Sequence, residues 1–143
     1  MSSKQPTPEE TANALVMEIR LLEQTYNELT SRQGLLERAL LESRAALESI
    51  RGLNGAPSEM LLQIGGGALL RAEPPSTDRV LVSVGANVIV EKSREEAVAI
   101  LEERSREVEK TIVSLAGQRN EIAQRLNSDR EVLNNIVARA QQE

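Results

Sequence analysis

A protein that does covalent chemistry needs side chains able to hold a metal, attack a carbon or move a proton, and this chain offers few. It contains no His and no Cys, which removes a Ser-His-Asp triad, a Cys nucleophile and an ordinary zinc site. Asp occurs only as Asp78 and Asp129. The many Glu residues are spread along segments of helical periodicity, where solubility and ion pairing account for them. Gly65-Gly66-Gly67 could be taken for a loop that cradles phosphate. It lacks the Gly-Lys-Ser/Thr ending of such a loop, no helix start follows it directly, and a turn is the better reading. No catalytic residue, metal ligand or cofactor is expected.

The elements that carry these residues are set by an unusual composition. Hydrophobic residues make up 40% of the 143-residue chain and charged residues 27%, while Tyr26 is the only aromatic. Aromatic rings usually dominate the burial of a compact core. The interior here must instead be Leu, Ile, Val and Ala, the mixture that long amphipathic helices use. A net charge of −5 argues against nucleic acid as a partner, because phosphate neutralisation needs clustered Lys and Arg. No stretch has the apolar length of a membrane span, and Met1-Ser2-Ser3-Lys4-Gln5-Pro6 lacks the apolar run of a signal peptide. Without Cys there can be no disulfide, and a cytoplasmic location follows by default.

Three segments are expected: 1–53 and 93–143 as coiled-coil helices, and 54–92 as two β-hairpins between them. Thr7-Pro8-Glu9-Glu10 has the form of a capping box opening a helix that runs to about Gly52. Its apolar residues fall on two heptad rows: Leu15, Leu22, Leu29, Leu36, Ser43 and Ile50, beside Ile19, Tyr26, Gln33, Leu40 and Leu47. Gly52, Asn54, Gly55 and Pro57 supply its stop. Ser93-Arg94-Glu95-Glu96 opens the second helix. Its rows are Leu101, Val108, Leu115, Ile122, Asp129 and Ile136, beside Val98, Ser105, Ile112, Arg119, Leu126, Leu133 and Ala140. Gln33, Ser43, Arg119 and Asp129 interrupt the seams, either to set register or as tolerated polar positions in a wet two-helix interface. Gly34 and Gly117 are either hinges or tolerated weak points. Glu28–Arg32, Glu102–Arg106 and Glu121–Arg125 have the favourable i,i+4 orientation. Helices this long have no globular body to lie on, and pairing them antiparallel within the chain costs least in loop entropy.

Between the helices, Met60–Ile64 and Ala68–Ala72 flank the three glycines. Val80–Val84 and Val88–Val90 flank Gly85-Ala86-Asn87. These strands carry apolar residues on both faces, and two helices cannot cover them. Isolated hairpins are marginal, with exposed edges. Leu61, Leu62, Ile64, Leu69, Val80, Val82, Val84, Val88 and Val90 are therefore expected to assemble with other subunits into a shared sheet or barrel. The opposite ends of the helices would then project freely. There the apolar pattern is wider than a seam needs: Val16, Met17, Leu21 and Val137 lie off the rows, beside Leu15, Ile136 and Ala140. They are either incidental residues at fraying ends or an adaptable grip for partner polypeptides, strengthened by multivalency.

The order helix, two hairpins, helix resembles the α-class subunit of the prefoldin family, archaeal type. The resemblance is carried by Leu62-Gln63-Ile64-Gly65-Gly66-Gly67 and by the run from Val80 to Lys92, followed by Glu95-Glu96-Ala97. Two hairpins, where the β-class has one, is the α-class feature. The chain departs from many members in having no Pro near Gln63 and no aromatic near Leu69 or Ile89. The resemblance implies a heterohexamer of two α-class and four β-class subunits built on paired β-barrels. It also implies ATP-independent capture of unfolded polypeptides at coiled-coil tips, and delivery to a group II chaperonin. The rival functions are a coiled-coil scaffold that only spaces its partners, and a nucleotide exchange factor for an ATPase chaperone. The central position of the hairpins argues against the second.

Overall fold

The computed structural model describes residues 4–53, 59–73 and 76–143. In chain order these form α1 (Pro8–Arg51), β1 (Met60–Gly65), β2 (Ala68–Ala72), β3 (Arg79–Gly85), β4 (Val88–Ser93) and α2 (Arg94–Ala140). The fold class is the expected one, two long helices forming an antiparallel coiled coil with two small hairpins between them. Met1–Arg38 with Lys110–Glu143 makes one compact unit, and Ala39–Glu109 makes a second.

Helix α1 starts where its cap requires. The Thr7 N–H donates to Glu10 Oε2 at 2.9 Å and the Glu10 N–H donates back to Thr7 Oγ1 at 3.2 Å, so two orphan donors are satisfied reciprocally. At its end the Gly52 N–H donates to the Glu48 carbonyl at 2.9 Å and the Leu53 N–H to the Ile50 carbonyl at 3.1 Å. A Cβ on Gly52 would lie 3.3 Å from the Glu48 oxygen, so a small residue suits the stop. The expected breakers Asn54, Gly55 and Pro57 lie outside the described residues, as do Pro74 and Pro75.

Both heptad rows of α1 are inward. Ile19, Leu40 and Leu47 are buried, and Leu15, Leu22, Tyr26, Leu29, Gln33, Leu36, Ser43 and Ile50 are half-buried. On α2, Ser105, Leu115, Leu126 and Asp129 are buried and the other row members half-buried, except Ala140, which is exposed. The helices run antiparallel in each unit. In the first, Glu23 meets Arg130 while Gln33, further along α1, meets Arg119, earlier on α2. In the second, Arg44 pairs with Glu109 and Arg51 with Glu102.

Among the expected i,i+4 pairs, Glu102 and Arg125 turn to partners on the facing helix, while Arg106 and Glu28 take partners on their own. Glu102 goes across to Arg51, and Arg106 turns to Glu103 at 2.7 Å. Arg125 reaches Glu18 at 2.9 Å and Asp129 at 3.3 Å, and its pKa is pushed up first by the Glu18 hydrogen bond. Glu28 accepts from the Gln24 amide at 3.2 Å. An intrahelical pair is worth only a few tenths of a kcal/mol, so a partner on the facing helix easily displaces it.

Each hairpin is its own two-stranded antiparallel sheet. In the first, Met60 faces Ala72 and Leu62 faces Leu70, with a register shift before Gly65; in the second, Arg79 faces Ser93 and Val82 faces Val90. Both turn through left-handed residues: Gly66 and Gly67 at φ 58° and 78°, and Ala86 and Asn87 at 50° and 61°. Glycine takes this conformation without strain, which settles Gly65-Gly66-Gly67 as turn chemistry with strand β2 directly after it. Strand β4 runs three residues beyond the expected Val90, straight into α2. There the Ser93 hydroxyl accepts from the Glu96 N–H at 3.1 Å, and the Arg94 N–H donates to the Asp78 carbonyl at 2.9 Å.

Candidate functional site

In the first unit the beginning of α1 and the end of α2 come together. Pro6, Pro8, Thr11, Ile136, Arg139, Ala140 and Glu143 line one cleft. Towards this end of the unit the apolar residues on and off the rows divide into two kinds. Met17 is 72% exposed, Leu21 64% and Val137 45%, and Ala140 is exposed too. Leu15, Val16 and Ile136 are half-buried. The heptad explains the division. Leu15 and Ile136 occupy seam rows facing the partner helix, Val16 flanks the seam, and Met17 and Leu21 fall on the outward face.

Exposed aliphatic side chains are not confined to the expected set. Leu35, Leu41, Val113 and Val132 are also largely in solvent on the helices. All four lie off the heptad rows, which was the signal available for finding them.

The seam of the first unit contains a polar layer. Arg119 donates to Gln33 Oε1 at 2.9 Å and to the Tyr26 hydroxyl at 3.1 Å, with its guanidinium 4.9 Å from the Tyr26 ring centroid. Its Nε is buried without a hydrogen-bond partner among the described residues. Nearby in sequence, buried Asp129 holds one oxygen against Arg125, and its Oδ2 has no hydrogen-bond partner among the described residues.

In the second unit the two hairpins differ. On the first, every residue from Leu61 to Leu70 is exposed, including Leu61, Leu62, Ile64, Leu69 and Leu70. The second is partly seated. Val82 is 6% exposed, Val80 and Val90 are half-buried, and Arg104 of α2 donates to the Ser83 carbonyl. Its other apolar residues, Leu81, Val84, Val88 and Ile89, remain exposed. Leaving a Val, Leu or Ile in water forgoes about 1.5–3 kcal/mol of burial each. The second unit thus presents a large apolar β surface on one chain.

Among the described residues no three acidic side chains gather to hold a metal, and no helix is long and apolar enough to cross a membrane. What the geometry offers is apolar surface of two kinds, exposed aliphatic side chains on the helices and on the strands.

Comparison with known proteins identifies the family. The family model described as a prefoldin subunit matches residues 18–142. The chain is similar to prefoldin subunit alpha of Nitrosopumilus maritimus, 32% identical over 135 residues, covering 94% of this chain and 93% of that one. It is also similar to prefoldin subunit alpha of Methanoculleus marisnigri, 36% identical over 126 residues, covering 78% and 85%. Among solved structures, the filamentous PFD of Methanocaldococcus jannaschii, determined by cryo-EM, shares the fold. Its TM-score is 0.51 at 23% identity, covering 84% of this chain and 95% of that one. The chain belongs to the prefoldin family, as an archaeal-type α-class subunit of a non-enzymatic chaperone that assembles with other prefoldin subunits.

Proposed function

We propose that this chain is an ATP-independent holding subunit. It captures unfolded polypeptides at the free ends of its coiled coil and delivers them to a group II chaperonin in the cytoplasm. The observation that carries the reading is that Met17, Leu21 and Val137, towards the end of the unit where both helices form a cleft, are apolar and face solvent. Unfolded chains expose aliphatic side chains in no fixed order, and a flexible Met among Leu and Val adapts to many of them. Met17, Leu21, Val137 and Ala140 make first contact, while Leu15, Val16 and Ile136 form the floor. One such end binds weakly; several around a common cavity bind tightly through effective concentration.

The hairpins, within the expected segment 54–92, are the assembly surface, and 1–53 with 93–143 form the arm. Leu61, Leu62, Ile64, Leu69, Val80, Val82, Val84, Val88 and Val90 join the corresponding strands of β-class subunits. The product is a heterohexamer of two α-class and four β-class chains on paired β-barrels. Pairing removes the exposed strand edges as well as the exposed aliphatic area.

The test is light scattering of a denatured, aggregation-prone protein diluted into the native assembly without nucleotide. Suppression at stoichiometric assembly supports holding. An intact assembly that gives no suppression leaves a spacing scaffold, and accelerated nucleotide release from an ATPase chaperone would establish the exchange-factor reading in its place.

A further inference from the structure

Three features that weaken a coiled coil coincide at one level of the first unit. Gly34 of α1 and Gly117 of α2 are both exposed within helices, and a Cβ on either would meet no atom within 4 Å. Alanine would therefore fit at both positions and would favour the helix, so close packing does not explain either glycine. The antiparallel pairing brings them to the same height. Gly34 follows Gln33, and Gly117 lies two residues before Arg119, which donates to Gln33 at 2.9 Å. At that height the seam layer is Gln33 against Arg119, which also reaches the Tyr26 hydroxyl, and the buried Arg119 Nε has no partner among the described residues. Within the unit, half-buried Leu36 and buried Leu115 lie to one side of this layer and buried Ile19 and Leu126 to the other.

We infer that this level is a compliant joint, at which the outer segment of the coiled coil bends and locally opens while the seams on either side stay closed. Glycine removes the helix bias of both backbones at one height. The polar layer leaves little apolar contact to hold the helices together there, yet its hydrogen bonds restore register on closing. The joint lets the helix ends move as a pair, adjusting their spacing to clients of different size. That consequence rests on the proposed holding function; the joint itself does not.

Amide hydrogen exchange on the full-length chain in its native assembly tests the joint without any client. The expected profile has a local minimum of protection, about tenfold, at residues 33–37 and 117–121, relative to 40–47 on α1 and 122–126 on α2. The doubly substituted Gly34→Ala, Gly117→Ala chain should slow exchange at the minimum by roughly fivefold per substitution and leave the flanking residues unchanged. A second variant, Gln33→Leu with Arg119→Leu, should fill the same minimum from the seam side. A profile that declines smoothly towards the helix ends would overturn the inference. So would a uniform rise in protection in the alanine variant, which would make the glycines points of general helix weakness.

Discussion

Arg119 shows how much a single side chain can hold in a two-helix interior. It bonds Gln33, bonds Tyr26 and stacks on the Tyr26 ring, so two polar groups and one ring depend on one guanidinium. Removing it alone leaves two partly buried partners without their bonds, whereas removing Gln33 and Arg119 together leaves only the Tyr26 hydroxyl without its bond. Arg119→Met should lower unfolding stability by about 1–3 kcal/mol. The Gln33→Leu, Arg119→Leu pair should match or exceed the native chain in thermal unfolding. Both residues stood out in the sequence as breaks in heptad rows. That they meet could not be read there, because the meeting depends on which turn of α1 faces which turn of α2. The same limit applied to Arg125 and Glu102, whose partners across the interface displaced their neighbours along the helix.

At the scale of elements, the helices and strands follow the local rules closely. The Thr7–Glu10 box, both seams and both hairpin turns formed where residue chemistry places them, because heptad spacing and left-handed turns are local constraints. The hairpin turns nonetheless carry one mismatch. Ala86 sits at φ 50°, a region that costs a residue with a Cβ about 1 kcal/mol. Ala86→Gly should therefore stabilise the second hairpin by up to about 1 kcal/mol, and Gly67→Ala, at φ 78°, should destabilise the first by a similar amount. Chemical denaturation of the assembly would check both. By contrast, Glu109→Gln, which removes the exposed pair with Arg44, should cost less than about 1 kcal/mol and less still in high salt. What the sequence could not supply was the unequal seating of the hairpins. The contact of Arg104 with the Ser83 carbonyl and the burial of Val82 are tertiary, and alternation along β3 does not single out Val82 from Val80 or Val84.

For the whole molecule, the account assigns separate tasks to separate surfaces, and each can be removed without the other. Leu62→Ser with Leu70→Ser acts on exposed strand residues, and should disperse the assembly in sedimentation while the helices keep their circular-dichroism signal. Changes at the helix ends should leave assembly intact and weaken capture. Met17, Leu21 and Val137 are the positions for this, since all three are exposed and their replacement spares the seam, whereas half-buried Val16 would also disturb helix pairing. The most direct measurement is aggregation suppression by the native assembly against one carrying Met17→Ser, Leu21→Ser and Val137→Ser, at equal concentration and without nucleotide. The account predicts suppression by the first and a several-fold weaker effect from the second, with both sedimenting as the same oligomer. Equal suppression by the two would contradict it and move the grip away from the helix ends.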